Sequence, residues 1–333
     1  MYKSKKLLRN GLCAAGVVFS SVFAASVSHA EQIGMEAASP NSILGMIPQA
    51  MAPYWSKSGI DVQLSLNQTL TKSLLKIAQG SLDSGIVPPP AFTALQKGVG
   101  PYAKIADKAM EISGNVRALF TIPGSYYHAI TRADSGIKNW PDAKGKRIFI
   151  GPPAGAANAQ IISLIEAGGL AEGDYEPIKA PWGAATQSYQ DGQFDVYVGT
   201  FGLGSQVVAE LSLTNDIRIL GVPGEKMVPP QGSGMQAAVI PPNTYSGQVN
   251  EDPVITWQTV MMLAVKKDMS DDTAYTLTKD YLKNRLALAE ANPSFRDLPT
   301  TDYFAGINAP LHPGAVRYYQ EIGVEIPAEL MPK

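Results

Sequence analysis

"GKRIFIGPPAGAANAQIISLIEAGGL", Gly145 to Leu170, is the stretch whose reading decides the fold. The short apolar run Arg147–Ile150 has the length of a buried strand, and the Gly and Pro cluster from Gly151 to Gly155 stops it. From Ala157 to Ala167 apolar residues return at helical spacing, and Gly168 and Gly169 end the run. A strand, a glycine turn and a helix in this order make one βα unit, with the free N–H groups and positive end of the helix beside the end of the strand. A phosphate-gripping loop would close on Gly-Lys-Ser/Thr. This one closes on Ala156, Ala157 and Asn158, so it reads as a seat for the acidic end of a small metabolite rather than for a nucleotide. Close packing of helix on sheet is the other use of such glycines.

The same alternation extends outward in both directions. Strands are expected near Gln32–Ala37, Asp61–Leu66, Ser84–Val87, Val116–Ile122, Tyr127–Arg132, Glu176–Lys179, Phe194–Val198 and Ile217–Gly221. Helices are expected at Ile43–Lys57, Thr71–Gln79, Ala91–Lys97, Ala184–Gln190 and Ser205–Leu213. Beyond Gly234, "MQAAVIPPNTY" and "VITWQTVMMLAVKK" read as extended segments. A long helix follows over Asp271–Ala291, with Ser270 as its cap and Leu277, Tyr281, Leu282 and Leu286 as its apolar stripe. The fold class is therefore α/β. The chain builds one lobe, crosses to a second and returns, with crossings expected at the Gly- and Pro-rich segments Pro123–Tyr126 and Pro223–Gly234. Lobe 1 comprises 31–123 and 235–333, and lobe 2 comprises 124–234.

The N-terminus sets the compartment. Lys3, Lys5, Lys6 and Arg9 precede an apolar run from Gly11 to Val27, and Ser28-His29-Ala30 closes it, which is the layout of a signal peptide cleaved after Ala30. Those four bases are among 27 basic residues set against 29 acidic ones, none of them in the leader, so the mature chain is near −6. A negative chain without basic runs is a poor ligand for nucleic acid or anionic lipid. The single cysteine, Cys13, leaves with the leader, and the exported protein has neither disulfide nor thiolate metal site. No later apolar stretch reaches membrane-spanning length. A soluble protein of an envelope or extracellular space is expected.

"GKRIFIGPPAGAANAQIISLIEAGGL" resembles the second-lobe strand, turn and helix of the TAXI family, the solute receptors of one branch of tripartite ATP-independent periplasmic (TRAP) transporters. "IAQGSLDSGIV", "DGQFDVYVGTFGLGSQVVAELS", "PPNTYSG" and "LHPGAVRYYQEIGV" are similar to further segments of that family, in the family's order. The resemblance implies a type II periplasmic binding protein, two α/β lobes joined by crossing strands around a ligand cleft. It implies a non-enzymatic receptor, without cofactor, that captures a small organic acid and delivers it to an ion-gradient-driven TRAP membrane permease. A monomer is expected. The second-lobe turn departs from the family's usual Gly-Ser-Gly-Thr by carrying Gly155-Ala156-Ala157-Asn158, which removes two hydroxyls. Two alternatives keep the fold: an envelope ligand sensor, and the binding component of an ABC-type importer for sulfonates or related molecules.

Candidate ligand-binding residues sit where strands end. Ser39, Asn41 and Ser42 lie in the first loop, where they cap a helix or donate to ligand. Gln68, Thr69 and Thr71 follow the second strand, and Pro89 belongs to a triple-proline wall after the third. Gly155, Ala156 and Asn158 form the second-lobe turn. Trp182 and the run Thr200, Phe201 and Gly202 supply the apolar side of the pocket, while Tyr127 packs inside. Catalytic sets are lacking: the mature chain has only His128 and His312, far apart, and no G-x-S-x-G elbow. His312 reads as a cap for the last helix. Asp83 and Asp195 fall at the starting ends of strands, where packing and turn formation explain them. No metal site is expected.

Overall fold

The computed structural model describes residues 30–40, 42–152, 157–230, 233–296, 298 and 302–332. The expected signal peptide, apart from Ala30, lies outside the described residues. The chain opens with β1 (Glu31–Glu36), α1 (Ile43–Lys57), β2 (Ile60–Ser65), α2 (Leu70–Ala78), β3 (Ser84–Val87) and α3 (Pro89–Lys97). A 3-10 turn at Gly100–Ile105 runs into α4 (Ala106–Ser113), and β4 (Val116–Arg132) follows. The second alternation is β5 (Arg147–Phe149), α5 (Ala157–Ala167), β6 (Glu176–Ile178), α6 (Trp182–Gln190), β7 (Val196–Phe201), α7 (Gln206–Thr214) and β8 (Ile217–Leu220). β9 (Met235–Ile240), β10 (Val254–Lys266), α8 (Asp271–Ala291) and α9 (Pro313–Glu321) complete the order.

Among the described residues the strands form one sheet, β2-β1-β3-β10-β4-β7-β5-β6, with β8 added to β4 and β9 to β10. β1 to β3 are mutually parallel, as are β5 to β7, while β4 and β10 run antiparallel through the middle. The architecture is α/β, two lobes joined by crossing strands. Apolar side chains divide along those two strands. Leu119, Phe120, Met262 and Leu263 pack with α1, α2, α3 and α8, where Phe120 stacks on Tyr281 at 4.0 Å and Trp55 donates to the Leu277 carbonyl. Tyr126, Tyr127, Ile130, Val254 and Trp257 pack instead around β5 to β8. No helix of the described residues is long and apolar enough to cross a membrane.

Three expectations are corrected. The two strands expected around Pro123–Tyr126 are one 17-residue strand, β4. Gly124 has no side chain, so β10 comes close at Thr259, and a register shift between Gln258 and Val260 absorbs Pro123, which has no N–H to give. The return crossing lies in the 13-residue β10 rather than at Pro223–Gly234. That segment is instead pinned to β10, with Trp257 Nε1 donating to the carbonyls of Lys226 and Met227 and Val260 N donating to the Gly234 carbonyl. Met235, Ala238, Ile240, Tyr245, Val254 and Trp257 lie in the apolar clusters built around β5 to β8. The stripe of α8 also differs: Ala274, Leu277, Thr278, Tyr281 and Leu288 are buried, while Leu286 is 57% exposed. At about 100° per residue, a side chain five positions past Tyr281 has rotated off the buried face. Helix α4, absent from the sequence reading, buries only Ala109 and Ile112, too weak a stripe to recognise.

Candidate functional site

Strand direction locates the crevice. β4 is parallel to β1–β3, since both are antiparallel to β10, and it leaves the first lobe toward the second. The carboxyl ends of β1–β3 therefore face the second lobe. β7 is antiparallel to β4, so the carboxyl ends of β5–β7 face back toward the first. In open α/β sheets ligands bind in such a crevice, outside the carboxyl ends of parallel strands.

Helix starts at the crevice share a feature. Ser42, Thr69, Pro181 and Ser205 precede α1, α2, α6 and α7, and none makes a side-chain bond to the helix it precedes. The helices that start elsewhere contrast with these. Ser270 accepts from Thr273 N at the start of α8, and His312 Nδ1 accepts from Gly314 N at the start of α9, as the sequence leads one to expect. α4 continues out of the 3-10 turn. At the crevice end of β3, α3 opens on Pro89 and Pro90, which have no N–H, and it too has no side-chain cap.

The loop residues singled out from the sequence have these surroundings. Ser42 Oγ and N both donate to the Ser39 carbonyl, closing a turn on which Gly45 packs. Gln68 Nε2 donates to Leu66 O. Thr69 is exposed, and the Thr71 carbonyl accepts from Tyr102 OH. Pro89 is buried against Gly306, and its carbonyl accepts from Asn308. Asn41, Gly155 and Ala156 lie outside the described residues. Asn158 Nδ2 donates to Ile150 O, tying the start of α5 to the end of β5.

Asn158 and Trp182 come together over Gly151, at 3.1 and 3.7 Å from where its Cβ would stand. Trp182 is 38% exposed and sets its edge on Phe149. Phe149 contacts Tyr197, Tyr197 contacts Phe201, and Phe201 meets His128, so a file of rings joins the loops after β6 and β7. Thr200 stands opposite Tyr127, which is fully buried and donates to Gln160 Oε1. Gly202 O is 3.4 Å from Tyr245 OH. Burial holds His128 neutral and lowers its pKa to about 4. It also pushes the Tyr127 and Tyr245 phenols well above their ordinary range.

The sequence reading missed Gln236 and Gln258, which pair across β9 and β10 at the level of the crevice. A glutamine inside the otherwise apolar "VITWQTVMMLAVK" was the available signal. Asp83 and Asp195 have the structural roles expected. Asp83 takes Lys266 and Gly34 N, and Asp195 takes the Arg147 side chain and N, all at the ends of strands away from the crevice.

Solved structures of similar shape include the periplasmic aliphatic sulphonate binding protein of Escherichia coli. It is 13% identical, with 89% of this chain and 80% of that one covered at a TM-score of 0.46. A TRAP periplasmic solute binding protein from Sulfitobacter sp. NAS-14.1, with bound β-D-galacturonate, is 11% identical, with 87% and 93% covered at 0.45. An extracytoplasmic solute receptor from Bordetella pertussis that binds pyroglutamic acid is 14% identical, with 88% and 92% covered at 0.46. The model of the NMT1-like family matches residues 51–323, most of the chain, and the protein belongs to that family.

Proposed function

We propose that this protein is an extracytoplasmic solute receptor. It leaves the cytoplasm by its N-terminal signal peptide, captures a small organic acid anion in the crevice and passes it to a TRAP-type, ion-gradient-driven membrane permease. The observation that carries this reading is the set of helix starts without side-chain caps, α1 and α2 on one side of the crevice and α6 and α7 on the other. Backbone N–H groups in a first turn need acceptors, and an anion between the lobes supplies them while complementing the positive helix ends. Trp182 and Phe201 add the apolar wall that a small-molecule pocket requires. The lobes, read from the packing as 31–122 with 261–332 and 126–257, close by bending β4 and β10. The protein works as a monomer and without a cofactor.

A thermal-shift screen of ligand-free protein against carboxylates, oxoacids, amino acids and sulfonates tests the anion. A solute that binds only the folded state adds about 2.7 kcal/mol at a hundredfold excess over Kd, a readily measured rise in Tm. Carboxylates are expected to give the rise. A rise with sulfonates alone would move the assignment to the ABC-type alternative, and no rise with any anion would remove the function proposed. Uptake into vesicles carrying the permease is expected to follow a sodium or proton gradient and to ignore ATP.

A further inference from the structure

We propose that Gln258 is a specificity-determining residue of the crevice, where its side-chain oxygen accepts a hydrogen bond from a hydroxyl or amino group on the bound anion. This rests on the anion reading above and narrows it, from organic acids in general to hydroxy acids and amino acids.

Register places Gln258 on the floor of the crevice. It pairs with Gln236 on one side and Tyr126 on the other, and Tyr126 pairs with Phe201, the last residue of β7. Residues directly opposite in antiparallel strands project from the same face, so Gln236, Gln258, Tyr126 and Phe201 form one row across four strands. Further along β10, Met262 pairs with Val87, the last residue of β3. Gln258 thus stands on the crossing strand level with the carboxyl end of β7, four residues from the position that faces the end of β3. The register shift just after it sets two positions of β10 against three of β4, so the extra residue lies in β4, opposite this part of β10.

Its hydrogen bonding is the second observation. Gln258 is 8% exposed, yet its Oε1 is buried with no hydrogen-bond partner among the described residues. Its neighbours on the two crossing strands are satisfied. Thr256 Oγ1 donates to Tyr127 O, Thr259 Oγ1 accepts from Ser125 N, Thr121 Oγ1 donates to Ala305 O, and both ring nitrogens of His128 have partners. A buried amide oxygen without a donor is destabilising. Such an atom on the crevice floor is explained when the donor arrives with the solute. The helix starts supply donors for a carboxylate and Gln258 supplies an acceptor, so the complementary solute carries a carboxylate and a hydroxyl or ammonium.

The test is calorimetric titration with acids paired so that one member carries the extra donor: lactate and propionate, malate and succinate, glutamate and glutarate, mandelate and phenylacetate. In whichever pair binds, the donor-bearing member is expected to bind on the order of tenfold more tightly. Gln258→Met is expected to collapse that ratio toward one while leaving the weaker member's affinity in place. The same substitution removes an unpaired polar atom, so the Tm of the ligand-free protein is expected to hold or rise, whereas a purely structural glutamine would lower it. Gln258→Leu repeats the measurement if the methionine variant does not fold. A preference that survives both substitutions, or equal binding within a pair, overturns the role of Gln258 and leaves the anion reading standing. Failure of every acid to bind folded protein overturns both.

Discussion

The hydroxyl of Tyr245 lies 2.8 Å from Nε2 of His128, joining the crossing strand β4 to a loop of the second lobe. Nδ1 of the same ring is 3.0 Å from the Tyr126 carbonyl, which can only accept, so Nδ1 carries the proton and Nε2 accepts from Tyr245. The Tyr245 oxygen also lies 3.4 Å from the Gly202 carbonyl, in the loop that leads from β7 to α7. One buried phenol thereby holds a crevice loop to the crossing strand. Tyr245→Phe leaves a buried imidazole nitrogen without its donor. A loss of about 1–3 kcal/mol is expected from urea unfolding, together with weaker solute binding. An unchanged urea midpoint would show that the pair adds nothing to stability.

Acid should unfold the protein through its histidines before its carboxylates. Burial lowers the His128 pKa from 6.5 to about 4, and burial, opposed by Asp271, lowers that of His312. Between pH 6.5 and 4 the unfolded chain binds the His128 proton and the folded chain does not. Stability therefore falls as pH drops through that window, by up to about 3 kcal/mol for His128, and this contribution levels off below pH 4. The carboxylates act lower. The Arg147 side chain and backbone hold Asp195 below its ordinary value, and Lys266 and Gly34 do the same for Asp83 against the opposing effect of burial. Their contribution is present above the unfolded value of 3.8 and is lost as pH falls below it. Urea midpoints measured from pH 7 to 3 check this, and His128→Gln is expected to flatten the upper part of the slope.

Asp195→Ala separates stability from binding. Its carboxylate accepts from Nε and Nη2 of Arg147 and from the Arg147 backbone N–H, at the ends of β5 and β7 that point away from the crevice. Both side chains are about one-third exposed, so solvent screening limits the ion pair, and the expected loss is about 1 kcal/mol. Solute affinity is expected to stay at the level of the parent protein. A tenfold change in Kd would contradict the orientation assigned to the second lobe.

Trp182→Ala should behave in the opposite way. The ring is 38% exposed, in a T-shaped contact with Phe149 and beside Gly151, so its removal opens little cavity. Stability is expected to fall by less than about 1 kcal/mol, while solute affinity drops at least severalfold. Equal losses in Tm and affinity would make Trp182 a packing residue rather than a wall of the site.

What the sequence revealed and what it hid divide by range. Helices α1, α5 and α8 and strand β3 have the bounds their periodicity predicts, because cap, turn and stripe are all written within the segment. The crossing strands were harder. Pro123 and Gly124 read as a break, and only the partner strand, which is distant in sequence, shows that the chain runs on through them. The same limit hid the pairing of His128 with Tyr245, separated by 117 positions, and the crevice role of Gln258, which depends on its register with Tyr126. The loop residues named for ligand binding were legible as strand ends. Whether a hydroxyl there faces solute or its own backbone is decided by contacts such as that of Ser42 with the Ser39 carbonyl, a turn geometry that composition does not encode.

Two glycine-to-alanine substitutions should have opposite signs. At Gly124 a Cβ would stand 2.1 Å from Thr259 Oγ1 and 2.3 Å from the Thr259 carbonyl oxygen, so β4 and β10 would have to separate where the lobes join. Thr259 cannot easily yield, because its hydroxyl already accepts from Ser125 N. Gly124→Ala is expected to destabilise by about 1–3 kcal/mol and, by forcing the crossing strands apart, to weaken solute binding further than the stability loss alone accounts for. Gly183, in the first turn of α6, has nothing within 4 Å of its Cβ direction and no left-handed backbone. Gly183→Ala only reduces the freedom of the unfolded chain and is expected to stabilise by about 0.4–1 kcal/mol. Urea titrations of the two variants decide the matter. If Gly124→Ala proved as stable as the parent, the close approach of the crossing strands would not be the constraint that sets the joint between the lobes.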